Sequence, residues 1–167
     1  MPARPLVAAA VAAVVAASGT GAAVAVEHAT TAGAARPAQH GAPSKAEIRR
    51  LFTTWDAALA TGDPERVDAL YADDAVLLPT LAPGIHDTSA ERVGYFENFL
   101  ANDPSGSIDE GVVRVLGKDV ATHSGLYTFT FAATGDVVHA RFTFVYERDH
   151  GRWEIVEHHS SLVPGGE

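Results

Sequence analysis

Ala140-Arg141-Phe142-Thr143-Phe144-Val145-Tyr146, then Glu147-Arg148-Asp149-His150-Gly151-Arg152, then Trp153-Glu154-Ile155-Val156-Glu157-His158-His159-Ser160-Ser161 is the stretch that decides the fold. In its first part every second residue is apolar or aromatic, the period of a strand with one buried face. Asp149-His150-Gly151 supplies a tight hairpin turn. The second strand closes on four consecutive polar residues. Imidazoles and hydroxyls on both faces of a strand end suit the mouth of a pocket.

Outward from that hairpin, the same period of two marks strands over 108–116 and 121–132, joined to 137–146 and 153–162 by short turns such as Thr134-Gly135-Asp136. Before Ser105 the period becomes helical, about 3.6 residues. Ser44-Lys45-Ala46-Glu47 reads as a capping box, followed by Ile48, Leu51, Phe52, Trp55, Ala58 and Leu59 on one face and by a stop at Gly62. Asp63-Pro64 opens a shorter helix with Val67, Leu70 and Tyr71 inward. Ala75-Val76-Leu77-Leu78 is a short strand ended by Pro79. Thr88-Ser89-Ala90-Glu91 caps a third helix, with Val93, Phe96 and Leu100 on one stripe and Tyr95 and Phe99 beside it. Helices first and strands afterwards predict an α+β fold. The expected form is a cone-shaped, curved antiparallel sheet wrapped around about three N-terminal helices, with a hollow as its default site.

That domain occupies 44–167. Residues 1–25 have the layout of an export signal: a basic start at Arg4, an unbroken apolar run over 6–17, and small residues leading to Ala23-Val24-Ala25. The uncharged stretch 6–26 is Ala- and Gly-rich and short of Leu and Ile, so a cleaved signal is the reading taken; an uncleaved anchor and a cytoplasmic tail are the alternatives. Residues 26–43, rich in Ala, Thr, Gly and Pro, read as a linker, and His28 and His40 in it as polar filler. A secreted or cell-envelope location is therefore expected. The 167 residues contain no cysteine, which excludes disulfides, thiolate metal sites and thiol nucleophiles. Net charge is −9 and the only basic pair is Arg49-Arg50, so nucleic acid is not an expected partner.

Candidate site residues cluster on the last two strands. Arg141 is isolated among short and aromatic residues; it either meets water or binds an anion through its fork of donors. On a regular strand His158 and Ser160 share one face, and His159 and Ser161 the other. Adjacent residues therefore make no histidine-activated serine, and two histidines on opposite faces cannot ligate one ion, so no metal site is expected. Satisfied structural histidines are one reading, and pocket-lining binding or acid–base residues are the other. Glu157, counted on the face of Ile155 and His159, is either paired to Arg141 or Arg152 or, if buried, a candidate base. His123 reads as structural, and Trp55, Trp153 and Tyr127 as core residues first. No dinucleotide fingerprint is present, so no cofactor is expected.

Thr61-Gly62-Asp63-Pro64-Glu65, Tyr95-Phe96-Glu97-Asn98, Gly151-Arg152-Trp153 and the His-Ser ending resemble the association (hub) domain of calcium/calmodulin-dependent protein kinase II. The stretch from Tyr71 to Thr80, Gly125-Leu126-Tyr127-Thr128-Phe129 and His158-His159-Ser160-Ser161 are similar to its free-standing bacterial relatives, the SgcJ/EcaC group. The resemblance covers roughly 48–164. It implies the SnoaL-like, nuclear-transport-factor-two-like, cystatin-like cone, paired through its sheet, with a pocket near the strand ends. The hub's pocket holds several arginines, whereas Arg141 is the only one inside the two long strands. No kinase domain or calmodulin-binding helix accompanies the domain, so calmodulin is not an expected partner.

The expectation is an exported, dimeric domain that binds a small, partly apolar molecule, with cofactor-independent acid–base chemistry if it is an enzyme. His158 and His159 are the expected catalytic residues. Arg141 would orient the ligand, Ser160 and Ser161 would contact it, and Tyr95, Tyr127 and Trp55 would form walls. The alternative is a non-catalytic oligomerisation hub.

Overall fold

Local chemistry explains where the helices start, and tertiary pairing explains where the strands do. The computed structural model describes residues 41–165. The expected signal segment and nearly all of the expected linker lie outside the described residues.

Helix α1 (Lys45–Leu59) begins where the Ser44 hydroxyl accepts the Glu47 N–H at 3.1 Å. The expected reciprocal half of that capping box is absent. Glu47 instead accepts the Trp153 indole N–H at 2.9 Å and the Arg148 guanidinium at 3.1 Å, tying the helix start to the last hairpin. Helix α2 (Pro64–Asp68) is capped by Asp63, with proline at its first turn as expected. Helix α3 (Ser89–Leu100) carries a complete Thr88–Glu91 capping box. Burial falls on Ile48, Phe52, Trp55 and Leu59 of α1, Val67 of α2, and Phe96, Phe99 and Leu100 of α3.

Five strands form one curved sheet in the order β1-β5-β4-β3-β2. They are β1 (Tyr71–Leu78), β2 (Pro104–Val115), β3 (Val120–Phe131), β4 (Val137–Asp149) and β5 (Arg152–Leu162). The last four are antiparallel, as expected, and β1, for which the sequence named no partner, runs parallel to β5. Strand β1 also begins four residues earlier than expected. Tyr71 pairs with Ile155 and so belongs to the sheet, not to the α2 stripe. The β4–β5 turn has positive φ at His150 (46°) and Gly151 (87°), the backbone that a two-residue hairpin requires.

One extra residue, Asp109 in β2 and Val156 in β5, interrupts each of two ladders. Such bulges bend a sheet and sharpen its twist. The inner face, carrying Tyr127, Phe129 and Phe131 of β3 and Phe142, Phe144 and Tyr146 of β4, packs on the helices and makes a core dominated by aromatic rings.

Candidate functional site

The bulge at Val156 decides which polar residues face inward. Tyr146 pairs with Ile155 but Val145 pairs with Glu157, so Val156 is the unpaired residue. Strict alternation from Ile155 would turn Glu157 and His159 inward. The bulge resets the count: Ile155, His158 and Ser160 are buried, while Glu157 and His159 are exposed and Ser161 is half-buried. Glu157 is therefore no buried base, and Arg152 pairs with Glu154 in its place.

The candidate residues divide between the two faces of the sheet. Trp55, Tyr95, Tyr127, His158 and Ser160 come together around one interior void of about 30 Å³. Arg141, His159 and Ser161 line a shallow trough on the outer face with Glu110 and Thr143. Arg141 alternates with buried Ala140 and Phe142, so its side chain must point away from the cone. It donates to the Leu162 carbonyl at 3.2 Å. The expectation that Arg141, His159 and Ser161 line the cone with His158 is thus corrected by the alternation of β4 and the phase of β5.

Inside the cone the polar groups form two connected sets. The Trp55 Nε1–H donates to the Tyr71 hydroxyl at 3.1 Å, and that hydroxyl lies 2.9 Å from His158 Nδ1. The Ser160 hydroxyl stands between those of Tyr127 and Thr80, in short hydrogen bonds with both. Aromatic rings, with Leu77, Pro79, Leu81, Val138 and Ala140, make up the remaining surface; Phe144 stacks on His158 at 4.0 Å and Trp55 meets it edge-on at 5.3 Å. His158 Nε2 is buried and has no protein partner.

Burial sets the charge state of these groups. Desolvation, with a smaller effect from His159, lowers the His158 pKa to about 3, so the ring is neutral in neutral solution. Burial pushes the Tyr127 phenol up to about 12 against the opposing Ser160 hydrogen bond, and it also raises Tyr71 and Tyr95. The cone therefore offers neutral donors and acceptors. His158 thus faces the cone as a neutral ring whose Nδ1 is engaged by Tyr71. Among the described residues, no three His, Asp or Glu side chains are placed to hold a metal ion.

The void has room for about two waters, or for one solute of that size. Sites for larger metabolites run to several hundred Å³. Of its lining residues only Leu81 is exposed, and Leu81, Tyr95 and Phe99 also line a wider external groove of about 510 Å³. The mouth of the cone thus opens beside Leu81.

Three residues of this region escape the sequence reading. Tyr71 is missed because it falls on the helical spacing of α2. Thr80 follows Pro79 in an irregular segment that has no periodicity to read. Arg92 had a signal: it lies four residues before Phe96 on the buried stripe of α3. Its guanidinium binds Asp68 at 2.7 Å, the Ala75 carbonyl at 2.7 Å and the Ala72 carbonyl at 3.1 Å, and lies 5.6 Å from the centre of the Tyr71 ring. It anchors the start of β1, and with it Tyr71.

The family model of the calcium/calmodulin dependent protein kinase II association domain matches residues 44–164. A structure from Xanthomonas campestris assigned to that association domain is 46% identical, with a TM-score of 0.71 over 73% of this chain and 89% of the other. An NTF2-like protein with a cystatin-like fold from Novosphingobium aromaticivorans is 18% identical, with a TM-score of 0.60 over 72% of this chain and 82% of the other. The iota-carbonic anhydrase of a cyanobacterium, in complex with bicarbonate, is 20% identical, with a TM-score of 0.64 over 75% and 95%. The last two likenesses are likenesses of fold. No curated protein matches the chain.

Proposed function

Since the chain belongs to the calcium/calmodulin dependent protein kinase II association domain family, we propose that it is a self-associating NTF2-like domain whose cone holds a very small solute, and that carbon dioxide and bicarbonate are the pair it serves. The observation that carries this reading is the void itself: about 30 Å³, walled by aromatic rings and edged by the Tyr127, Ser160 and Thr80 hydroxyls. Carbon dioxide is small and uncharged enough to enter an apolar hollow. Bicarbonate needs hydrogen-bond donors for its oxygens, and fixed neutral donors stabilise charge that develops in a dry site. Bicarbonate in the cyanobacterial neighbour is consistent with this reading through shared architecture, which is an argument by analogy.

In the proposed reaction a water held by the Ser160 hydroxyl attacks the carbon of carbon dioxide. One C–O bond forms as the electron pair of one C=O π bond moves onto its oxygen, one O–H bond of that water breaks, and the proton leaves to solvent by way of Thr80, the one hydroxyl of the three that is only half-buried. The product is bicarbonate. Stopped-flow measurement of carbon dioxide hydration, with a chelator present, tests the reading. Activity above the uncatalysed rate is expected, falling about a hundredfold in Ser160→Ala through loss of one positioned hydroxyl. A folded wild-type protein with no such activity would sink it.

A second reading, a non-catalytic hub, draws on a separate observation. Val112, Leu126 and Leu162 are exposed, and Leu126 lines the outer trough with Arg141, giving a partly apolar sheet face suited to a second copy of the chain. Self-association without hydration activity would favour it.

A further inference from the structure

We propose that Trp55 and Tyr71 lock His158 into the tautomer with its proton on Nε2, so that the cone presents one fixed N–H donor to an oxygen of its solute. The inference rests on the small-solute reading of the cavity given above, but its central claim concerns the protein alone.

The direction of the chain follows from what each group is able to do. Indole nitrogen only donates, so the Tyr71 oxygen accepts from Trp55. A phenol has a single proton, and the Tyr71 hydroxyl proton has one remaining partner, His158 Nδ1 at 2.9 Å. Nδ1 is then an acceptor, and the proton of the neutral ring must sit on Nε2. The opposite assignment would have Nδ1 donate to Tyr71. It would leave the phenol proton without an acceptor inside a fully buried cluster, the arrangement that native interiors avoid.

The remaining nitrogen is the informative one. Nε2 is buried, has no partner in the protein, and belongs to a ring that lines the void. Native proteins rarely leave a buried donor unpaired, so its partner is an acceptor atom held in the cone. The lining contains no carboxylate to match a cation. Carbonyl and carbonate oxygens fit this donor, and ammonium-type solutes do not. Tyr71 and Trp55 are positioning residues in this scheme. Tyr71 sets the tautomer, and Trp55 sets the direction in which Tyr71 donates.

Long-range proton–nitrogen correlation spectra of the 15N-labelled full chain at neutral pH test the lock, with His158→Gln identifying the resonances. Wild type should show a protonated Nε2 and an unprotonated Nδ1. Tyr71→Phe should mix the two tautomers and draw the two nitrogen shifts towards each other. A wild-type ring protonated on Nδ1 overturns the inference. So does a Tyr71→Phe spectrum identical to wild type. Because the wild-type spectrum decides the tautomer, the test survives even a variant that does not fold. Bicarbonate is then added, with ammonium as control. A shift of Nε2 with bicarbonate alone supports selection of an oxygen acceptor, and a shift with ammonium overturns it. If neither ion moves Nε2 and no hydration is detected, the carbon dioxide reading falls while the spectrum without solute still upholds the lock.

Discussion

Arg92 and His158 are both buried, and the fold treats them in opposite ways. Arg92 is given partners: Asp68 and the backbone carbonyls of Ala75 and Ala72 accept from its guanidinium. Arg92→Ala would leave the Asp68 carboxylate with the Ser89 hydroxyl but no cation and would free both carbonyls, with an expected cost of about 3 kcal/mol, read from the urea unfolding midpoint. His158 is kept neutral. Its folded pKa of about 3 lies below the ordinary imidazole value of 6.5, so the unfolded chain binds the extra proton first. The contribution is complete above about pH 6.5 and is lost as pH falls towards 3, with a slope of up to about 1.4 kcal/mol per pH unit. His123, also lowered by burial, adds to the loss in the same sense. His158→Gln should flatten the decline between pH 6.5 and 4.5, measured as unfolding free energy against pH. Sequence made the His158–Ser160 pair legible as same-face neighbours. It could not reveal that Arg141 and His159 share the other side, because that depends on the phase of each strand relative to the helices.

Among the elements, the turn of the last hairpin and its β4 strand were readable. Asp149-His150-Gly151 specifies its turn and the aromatic alternation of β4 specifies its buried face. The Val156 bulge was not, since an extra residue exists only relative to a partner strand and leaves no mark on the bulged strand alone. Glu47 shows the same limit: its spacing from Ser44 satisfies the capping pattern, yet Trp153 and Arg148 compete for the carboxylate and win. Two glycines separate local from tertiary constraint. A methyl group on Gly125 of β3 would lie 1.9 Å from the Glu110 carbonyl oxygen, beside the Asp109 bulge. Gly125→Ala should therefore destabilise by about 3 kcal/mol or more. Gly94 of α3 has open space and a helical backbone, so Gly94→Ala should stabilise by about 0.5–1 kcal/mol. Thermal unfolding of the two variants, with midpoints moving in opposite directions, checks both.

For the molecule as a whole, the cone was legible from the order of its helices and strands, and the narrowness of its hollow was not. The walls follow from how Tyr127, Phe129 and Phe99 close on one another, which periodicity does not encode. The face that receives a second copy is equally a property of the assembled sheet. Under the proposed self-association through the outer trough, Leu126→Arg should lower the mass measured by light scattering and spare the interior site. Under the proposed export, mass spectrometry of the protein from its own cell envelope or medium should find a chain lacking about the first 25 residues. The strand order carries a further consequence. Strand β1 joins the sheet only through β5, and β5 is the last of the five strands to be made. Until β5 has been made, β1 lacks its strand partner, and the interior lacks His158 and Ser160. The sheet is therefore completed late in the making of the domain, an order that would suit the proposed export, in which a polypeptide crosses a translocation pore unfolded.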